Sequence, residues 1–160
     1  MVRIRLATTA DIPQVVILLA ELFTLEADFQ VDPEKQADGL NLLIASPKDV
    51  VFVAELVGAD TVVGMCSVQT LISTAEGGAV GMVEDLMVSS AYRKQGIAST
   101  LITEVVNWAH QQGLKRLQLL ADQNNLDGLS FYTKQGWQTT QLICLRATGF
   151  SSLRIKAIRA

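Results

Sequence analysis

The stretch of this chain best suited to chemistry is Arg93-Lys94-Gln95-Gly96-Ile97-Ala98, set between an apolar run ending at Val88 and a run of helical periodicity starting at Ile97. A strand, a tight turn and a helix in that order aim backbone N–H groups outward. Four amides at a helix N-terminus lack partners inside the helix, and the macrodipole there is positive. An anion placed there gains several charge-assisted hydrogen bonds, each about 1.5–3 kcal/mol. Gly96 keeps a Cβ out of the ligand's way, Ala98 keeps the second close position small, and Arg93 or Lys94 adds charge. These residues predict a phosphate- or pyrophosphate-binding turn. Neither Gly-x-Gly-x-x-Gly nor Gly-x-x-x-x-Gly-Lys-Ser/Thr occurs, which argues against a nucleotide-binding domain.

Other reactive side chains are sparse. His110 is the single histidine and falls on the polar face of a helix, so it is expected in solvent and makes no triad. One histidine and two well-separated cysteines give a metal no obvious ligand set. Cys66 and Cys144 stand in separate apolar runs and read as two small buried hydrophobes in a reducing cytoplasm. Glu84 and Asp85 form an acidic pair near a strand end; strict alternation sends them to opposite faces, so at most one would face a given site. A net charge of −3 with dispersed Lys and Arg excludes the basic stripe that nucleic acid requires. No run approaches the roughly 18 uninterrupted apolar residues of a membrane span. The expectation is one soluble cytoplasmic domain over residues 1–160, with no nucleic acid and no membrane as partner.

The elements that would position the turn follow from periodicity. Val2, Ile4 and Leu6 alternate with Arg3 and Arg5 as a half-buried strand. Thr8-Thr9-Ala10-Asp11 has capping-box form ahead of Ile12, Val15, Val16, Leu19, Leu22 and Phe23 at helical spacing. Pro33 opens a second helix that Ser46-Pro47 ends. Two β-rich runs, 50–57 and 62–71, are joined by Gly58-Ala59-Asp60 as a hairpin, and 79–88 is another strand. A helix over 97–112 ends at Gly113. Then come a strand at 114–121, a short helix at 125–135, a strand at 137–145 and a last one at 153–158. Strand–helix–strand order around 97–112 implies one parallel pair and the hairpins imply antiparallel ones, so the α/β sheet is mixed.

The turn resembles the signature Arg/Gln-x-x-Gly-x-Gly/Ala of the GNAT acetyltransferase family, and Val83-Glu84-Asp85-Leu86-Met87-Val88 is similar to the strand that precedes it there. A second block agrees: Asn125 to Tyr132 followed by Lys134-Gln135-Gly136-Trp137 resembles that family's Asn-x-x-Ala-x-x-Phe-Tyr, Lys-x-Gly-Phe. Gly128 stands where Ala is usual, Ser90 where the turn often has Pro, and Trp137 where Phe is common. The resemblance implies a central mixed, mostly antiparallel sheet with helices on both faces. It implies acetyl-CoA as co-substrate and a small-molecule amine or a protein amino group as acceptor.

Carried onto this chain, the resemblance places the pantetheine arm against the backbone of Leu86, Met87 and Val88. The pyrophosphate would lie on the amides of Lys94, Gln95, Gly96, Ile97, Ala98 and Ser99 beside Arg93, with Asn125 hydrogen-bonded to the cofactor arm. Tyr132 would stand near the sulfur as general acid. Glu84 is the candidate base, directly or through water, with Asp85 as alternate. Amides at Met87 or Val88 would polarise the thioester carbonyl. The acids Glu21, Glu26, Asp28, Asp32 and Glu34 surround the opening helices, where an acceptor site is expected, and 24–34 and 72–80 are expected to shape acceptor choice. Family likeness also suggests a homodimer. The alternative is a non-catalytic acyl-CoA-binding or sensor module.

Overall fold

In the computed structural model, which describes residues 1–26 and 28–148, the chain runs β1 (Val2–Leu6), α1 (Ile12–Leu25), α2 (Pro33–Ala45), β2 (Val50–Leu56), β3 (Thr61–Ser73), β4 (Gly78–Val88), α3 (Ile97–Gln111), β5 (Leu117–Leu119) and α4 (Leu126–Lys134). The strands form one sheet in the order β1-β2-β3-β4-β5. The first three pairings are antiparallel and β4–β5 is parallel, so the chain must cross over between them, and α3 makes that crossing.

Unbroken burial along β2 follows from covering both faces of the sheet. Val50, Phe52 and Ala54 join Ile97, Leu101, Ile102 and Val105 of α3 in one cluster, while Val51 and Val53 join Val15, Leu18, Leu19 and Leu40 of α1 and α2 in the other. Leu101 is fully buried, and truncating such a side chain costs about 2–5 kcal/mol. The two layers place the N-terminal end of α3 and the C-terminal end of α1 at the same end of β4, where functional groups can meet.

The predicted capping box is present: the Asp11 carboxylate accepts from the Thr8 N–H (2.7 Å) and from the Thr8 hydroxyl (3.1 Å). Arg5 grips the same carboxylate through both terminal nitrogens (2.8 and 2.7 Å) and reaches Glu55 at 3.0 Å. The Arg5 hydrogen bonds hold the Asp11 carboxyl down at about 2 and raise the guanidinium's own pKa further.

Three expectations differ from the structure. The strand expected over 137–145 is absent: this segment has no strand partner among the described residues, and Leu142, Ile143 and Leu145 are exposed. A β-pattern without a neighbouring ladder satisfies neither its apolar face nor its backbone groups. Cys144 lies in this segment and is exposed, so only Cys66 is a buried hydrophobe. The strand expected over 114–121 contracts to Leu117–Leu119, because β5 stays beside β4 for three residues only. The strand expected at 153–158 lies outside the described residues.

Candidate active site

The three-residue length of β5 creates the site. Gly81, Met82 and Val83 pair with Leu117, Gln118 and Leu119, and from Glu84 onward β4 has no partner on that side among the described residues. On its other side β4 remains paired with β3 as far as Val88 opposite Gly64. One backbone edge of Glu84–Val88 therefore faces an open cleft between splayed strands, where an extended ligand can complete the ladder. Leu86 is half-buried against the α3-side cluster, and Met87 is buried on the opposite face. The Val88 carbonyl is already taken, accepting from Arg93 Nε at 3.0 Å.

Within this open edge the register breaks. Met65 faces Met87 but Ser67 faces Glu84, so Asp85 and Leu86 together oppose Cys66. This is a β-bulge, and Asp85 adopts φ +54°, a left-handed conformation that aspartate tolerates better than most residues. The bulge cancels the alternation on which sequence reading relied: Glu84 and Asp85 line the same cavity rather than opposite faces.

That cavity, of about 640 Å³, lies between α1, α2, the α1–α2 connection and the bulge, with Leu19, Phe23, Phe29, Gln36, Glu84 and Asp85 among its walls. Asp28 and Asp32 also line it, whereas none of residues 72–80 does. Glu84 is exposed and accepts from Gln69 Nε2 at 3.0 Å. Asp85 is half-buried. Burial, then the charges of Glu84 and Glu26, push its carboxyl up to about 7. Glu26 is itself raised by burial and by Asp122 and Asp28. Of the remaining acids singled out in the sequence, Glu34 is exposed in the first turn of α2, and Glu21 belongs to the turn described next.

After a 3₁₀ turn at Ser90–Tyr92 the backbone is left-handed at Lys94 (φ +62°) and Gly96 (φ +80°), and α3 begins at Ile97. The first helical bond runs from the Thr100 N–H to the Gly96 carbonyl at 3.0 Å. The amides of Ile97, Ala98 and Ser99 therefore have no carbonyl within α3 to bond, as an anion nest requires. A Cβ at Gly96 would meet nothing within 4 Å, so the cost of a side chain there is the left-handed backbone and whatever ligand occupies the turn. Arg93 does not project freely from the turn. It donates to Glu21 Oε1 of α1 at 3.1 Å, and the same oxygen accepts from the Ser90 N–H at 3.0 Å. Arg93 is thus ion-paired with α1 while remaining exposed, and Lys94 is exposed beside it.

Tyr132 stands on α4, half-buried, with Phe131 at 5.2 Å and Trp137 at 5.9 Å between ring centroids. Burial, reinforced by Cys66 and Glu26, pushes its hydroxyl up to about 12. Cys66 beneath the bulge is likewise pushed up to about 12, by burial and then by the charge of Asp85. Asn125 caps α4: its Oδ1 accepts from the Gly128 N–H at 2.9 Å. Gly128 has a local reason to replace alanine, since a Cβ there would lie 2.7 Å from Asn125 Nδ2. Gln135 Nε2 donates to Ser99 Oγ at 3.1 Å and ties the end of α4 to the start of α3. His110 is exposed in the last turn of α3, away from these groups.

The chain's sequence and its fold both match known proteins. The profile of the Acetyltransferase (GNAT) family covers residues 17–137. This chain belongs to that family. Aminoglycoside N(6')-acetyltransferase type 1 of Serratia marcescens is 28% identical over 113 residues, which span 69% of this chain and 77% of that one. A transcriptional regulator from Bacillus halodurans C-125 superposes with a TM-score of 0.81 at 25% identity, covering 92% of this chain and all of that one (100%). A predicted acetyltransferase with acetyl-CoA from Clostridium acetobutylicum gives a TM-score of 0.77 at 21% identity, over 91% and 96% of the two chains. GNAT enzymes use acetyl-CoA, and this GNAT protein is an N-acetyltransferase acting on an amine. Among the described residues no helix is long and apolar enough to cross a membrane.

Proposed function

We propose that the protein binds acetyl-CoA along the open edge of β4, with its pyrophosphate on the turn amides from Lys94 to Ser99, and acetylates a primary amine held in the cavity between α1, α2 and the bulge. Of the two acids considered from the sequence, Asp85 is favoured as the base and Glu84 as its neighbour. The observation that carries this reading is the placement of Asp85: half-buried on a bulge, in the wall of the cavity, with its carboxyl near 7.

An alkylammonium has a pKa of about 10.4, so freeing its lone pair costs roughly 4–5 kcal/mol at pH 7. A carboxylate titrating near neutrality is a better proton acceptor for this step than one at the ordinary value of 3.8. The freed nitrogen attacks the thioester carbonyl carbon, backbone amides near Met87 or Val88 polarise the carbonyl oxygen, and the C–S bond breaks. The sulfur leaves as a thiolate and takes the Tyr132 proton, which the raised pKa keeps on the phenol until needed. The nitrogen's second proton, lost as the neutral amide forms, reprotonates Tyr132, and Asp85 releases the first to solvent. Asn125 contributes by capping the helix that carries Tyr132, with its Nδ2 available to the cofactor arm. A non-catalytic acyl-CoA sensor would have no use for this acid–base pair. The reading also carries a cytoplasmic location and a homodimer, and sedimentation showing a monomer at micromolar concentration would overturn the latter.

The test is the pH dependence of kcat/KM for wild type, Asp85→Asn and Glu84→Gln. Wild type is expected to lose activity below a pKa near 7. Glu84→Gln should keep that limb, moved slightly down because a neighbouring negative charge is gone, and Asp85→Asn should abolish it. A limb that survives in Asp85→Asn and disappears in Glu84→Gln reverses the two roles.

A further inference from the structure

Ser67 lies in the middle of β3 and is 0% exposed. It stands opposite Val51 of β2. Alternation along β3 gives it the same face as Met65, which joins the α1–α2 cluster, and Gln69, which lines the cavity beside the bulge. Packing alone would accept an apolar side chain here, as it does at Val63 and Val68 of the same strand. The hydroxyl instead donates to the Glu84 carbonyl, 3.2 Å away. Cys66, which Asp85 and Leu86 jointly oppose, brings its thiol, a weaker donor, to 3.9 Å from the same oxygen. Two successive side chains of β3 thus converge on one carbonyl of β4.

That carbonyl controls the conformation of Asp85. The planar peptide unit joining Glu84 to Asp85 turns only about ψ of Glu84 and φ of Asp85, so a donor fixed on its oxygen restrains both torsions. Asp85 has φ +54°, a conformation that a residue with a Cβ keeps only when its surroundings hold it there. The relaxed alternative is extended, and extended backbone sends Glu84 and Asp85 to opposite faces of the strand. Only the held form puts both carboxylates in the wall of one cavity.

We propose that Ser67 is a positioning residue: by holding the Glu84 carbonyl, its hydroxyl keeps Asp85 on the left-handed turn that presents the carboxylate to the cavity. The effect on rate rests on the reading of Asp85 as the base; the hold on the turn does not. Being buried, Ser67 touches neither amine nor thioester and acts through Asp85. The ionisable groups facing Asp85 are Glu84 on its own strand, Glu26 at the end of α1 and the Cys66 thiol of β3, with Asp28, Asp32 and Lys35 in the walls of the same cavity. Changing Ser67 alters none of these charges, so the titration of Asp85 reports where its carboxyl sits. Burial is the main cause of its raised value, and a carboxyl that leaves the wall falls back toward 3.8.

The Asp85 carboxyl would be titrated by NMR, its signal assigned by its loss in Asp85→Asn, in wild type, Ser67→Ala, Ser67→Thr and Ser67→Val. Serine against alanine and threonine against valine each compare a hydroxyl with its absence at nearly constant shape, and the second pair serves if alanine fails to fold. With a hydroxyl the carboxyl should titrate near 7; without one it should titrate at least about one pH unit lower, a tenfold change in proton affinity. With acetyl-CoA and n-hexylamine as probe amine, the acid limb of kcat/KM should move down with the carboxyl. The plateau should fall by roughly 10-fold to 100-fold in the alanine and valine variants and recover in threonine. Calorimetric affinity for acetyl-CoA should change less than about threefold, since the turn amides are untouched. A role in packing alone would lower Tm in the alanine and valine variants and leave the carboxyl titration in place, and that result overturns the proposal. So does a titration that moves equally in threonine and valine. Survival of the acid limb in Asp85→Asn defeats the base reading but not the hold on the turn, which the NMR titration then decides by itself, as it does if n-hexylamine is not turned over.

Discussion

The turn from Arg93 to Gly96 offers a ligand backbone amides, whereas the cavity between α1, α2 and the β4 bulge offers side chains: Asp85, Glu84, Gln36 and the Phe23–Phe29 pair. In the turn, identity matters at Gly96 and little elsewhere, because any residue supplies an N–H. In the cavity each side chain carries its own chemistry, and its value depends on neighbours far away in the chain. A site made of main chain should survive most truncations, and a site made of side chains should fail at single positions.

The largest expected effect is at the bulge. Asp85→Asn should lower kcat/KM for the amine by about 10²–10⁴-fold at neutral pH, the range for removing a general base, with acetyl-CoA affinity unchanged. Tyr132→Phe should lower kcat by roughly 10-fold to 100-fold with little change in KM for acetyl-CoA, since the thiolate leaves more slowly without a proton donor. Arg93→Ala, which frees Glu21 and the Val88 carbonyl, should raise KM for acetyl-CoA by up to about 10-fold, equivalent to the loss of one charge-assisted bond. Gln95→Ala should change KM by less than about threefold, because only its amide faces the ligand. A Gln95→Ala effect as large as that of Asp85→Asn would erase the distinction between the two regions.

Stability should separate them as well. Asp85 is raised from 3.8 to about 7 on folding, so between these values the folded state binds more protons than the unfolded chain and stability falls as pH rises. Asp85→Asn removes that cost, and its Tm should exceed that of wild type at about pH 8 but match it at about pH 4. Asp11, lowered to about 2, behaves oppositely. Its contribution is present above 3.8 and is lost as pH falls toward 2, so Arg5→Ala should destabilise by about 2–3 kcal/mol at pH 7, less in acid, without touching acetyl-CoA affinity. Chemical denaturation at the two pH values checks both signs.

Much of the fold was legible because its signals are local. Pro33, Gly113 and the Thr8–Asp11 box bound helices wherever they occur, and the nest was visible as Gly96 ahead of a helical run. What escaped detection depends on cross-strand register and on distance. The bulge arises because Asp85 and Leu86 share one partner, Cys66, and nothing in Val83-Glu84-Asp85-Leu86 reveals it except the tolerance of Asp for positive φ. Glu21 lies 72 residues from Arg93, so their ion pair left no local trace. Ser67 looked like any small polar residue in a β-run, since the carbonyl it holds is brought to it by the ladder. The β-pattern of 137–145 was read correctly as a pattern, but a strand needs a neighbour as well as a sequence.

Whether the main chain of the turn holds acetyl-CoA is decided by calorimetric titration of wild type and Gly96→Glu with acetyl-CoA. Wild type is expected to bind at micromolar or tighter, with binding weakened at least about 100-fold in the variant, whose carboxylate opposes the pyrophosphate where several charge-assisted bonds should form. Equal binding by the two folded proteins, or none by wild type, would contradict a main-chain site.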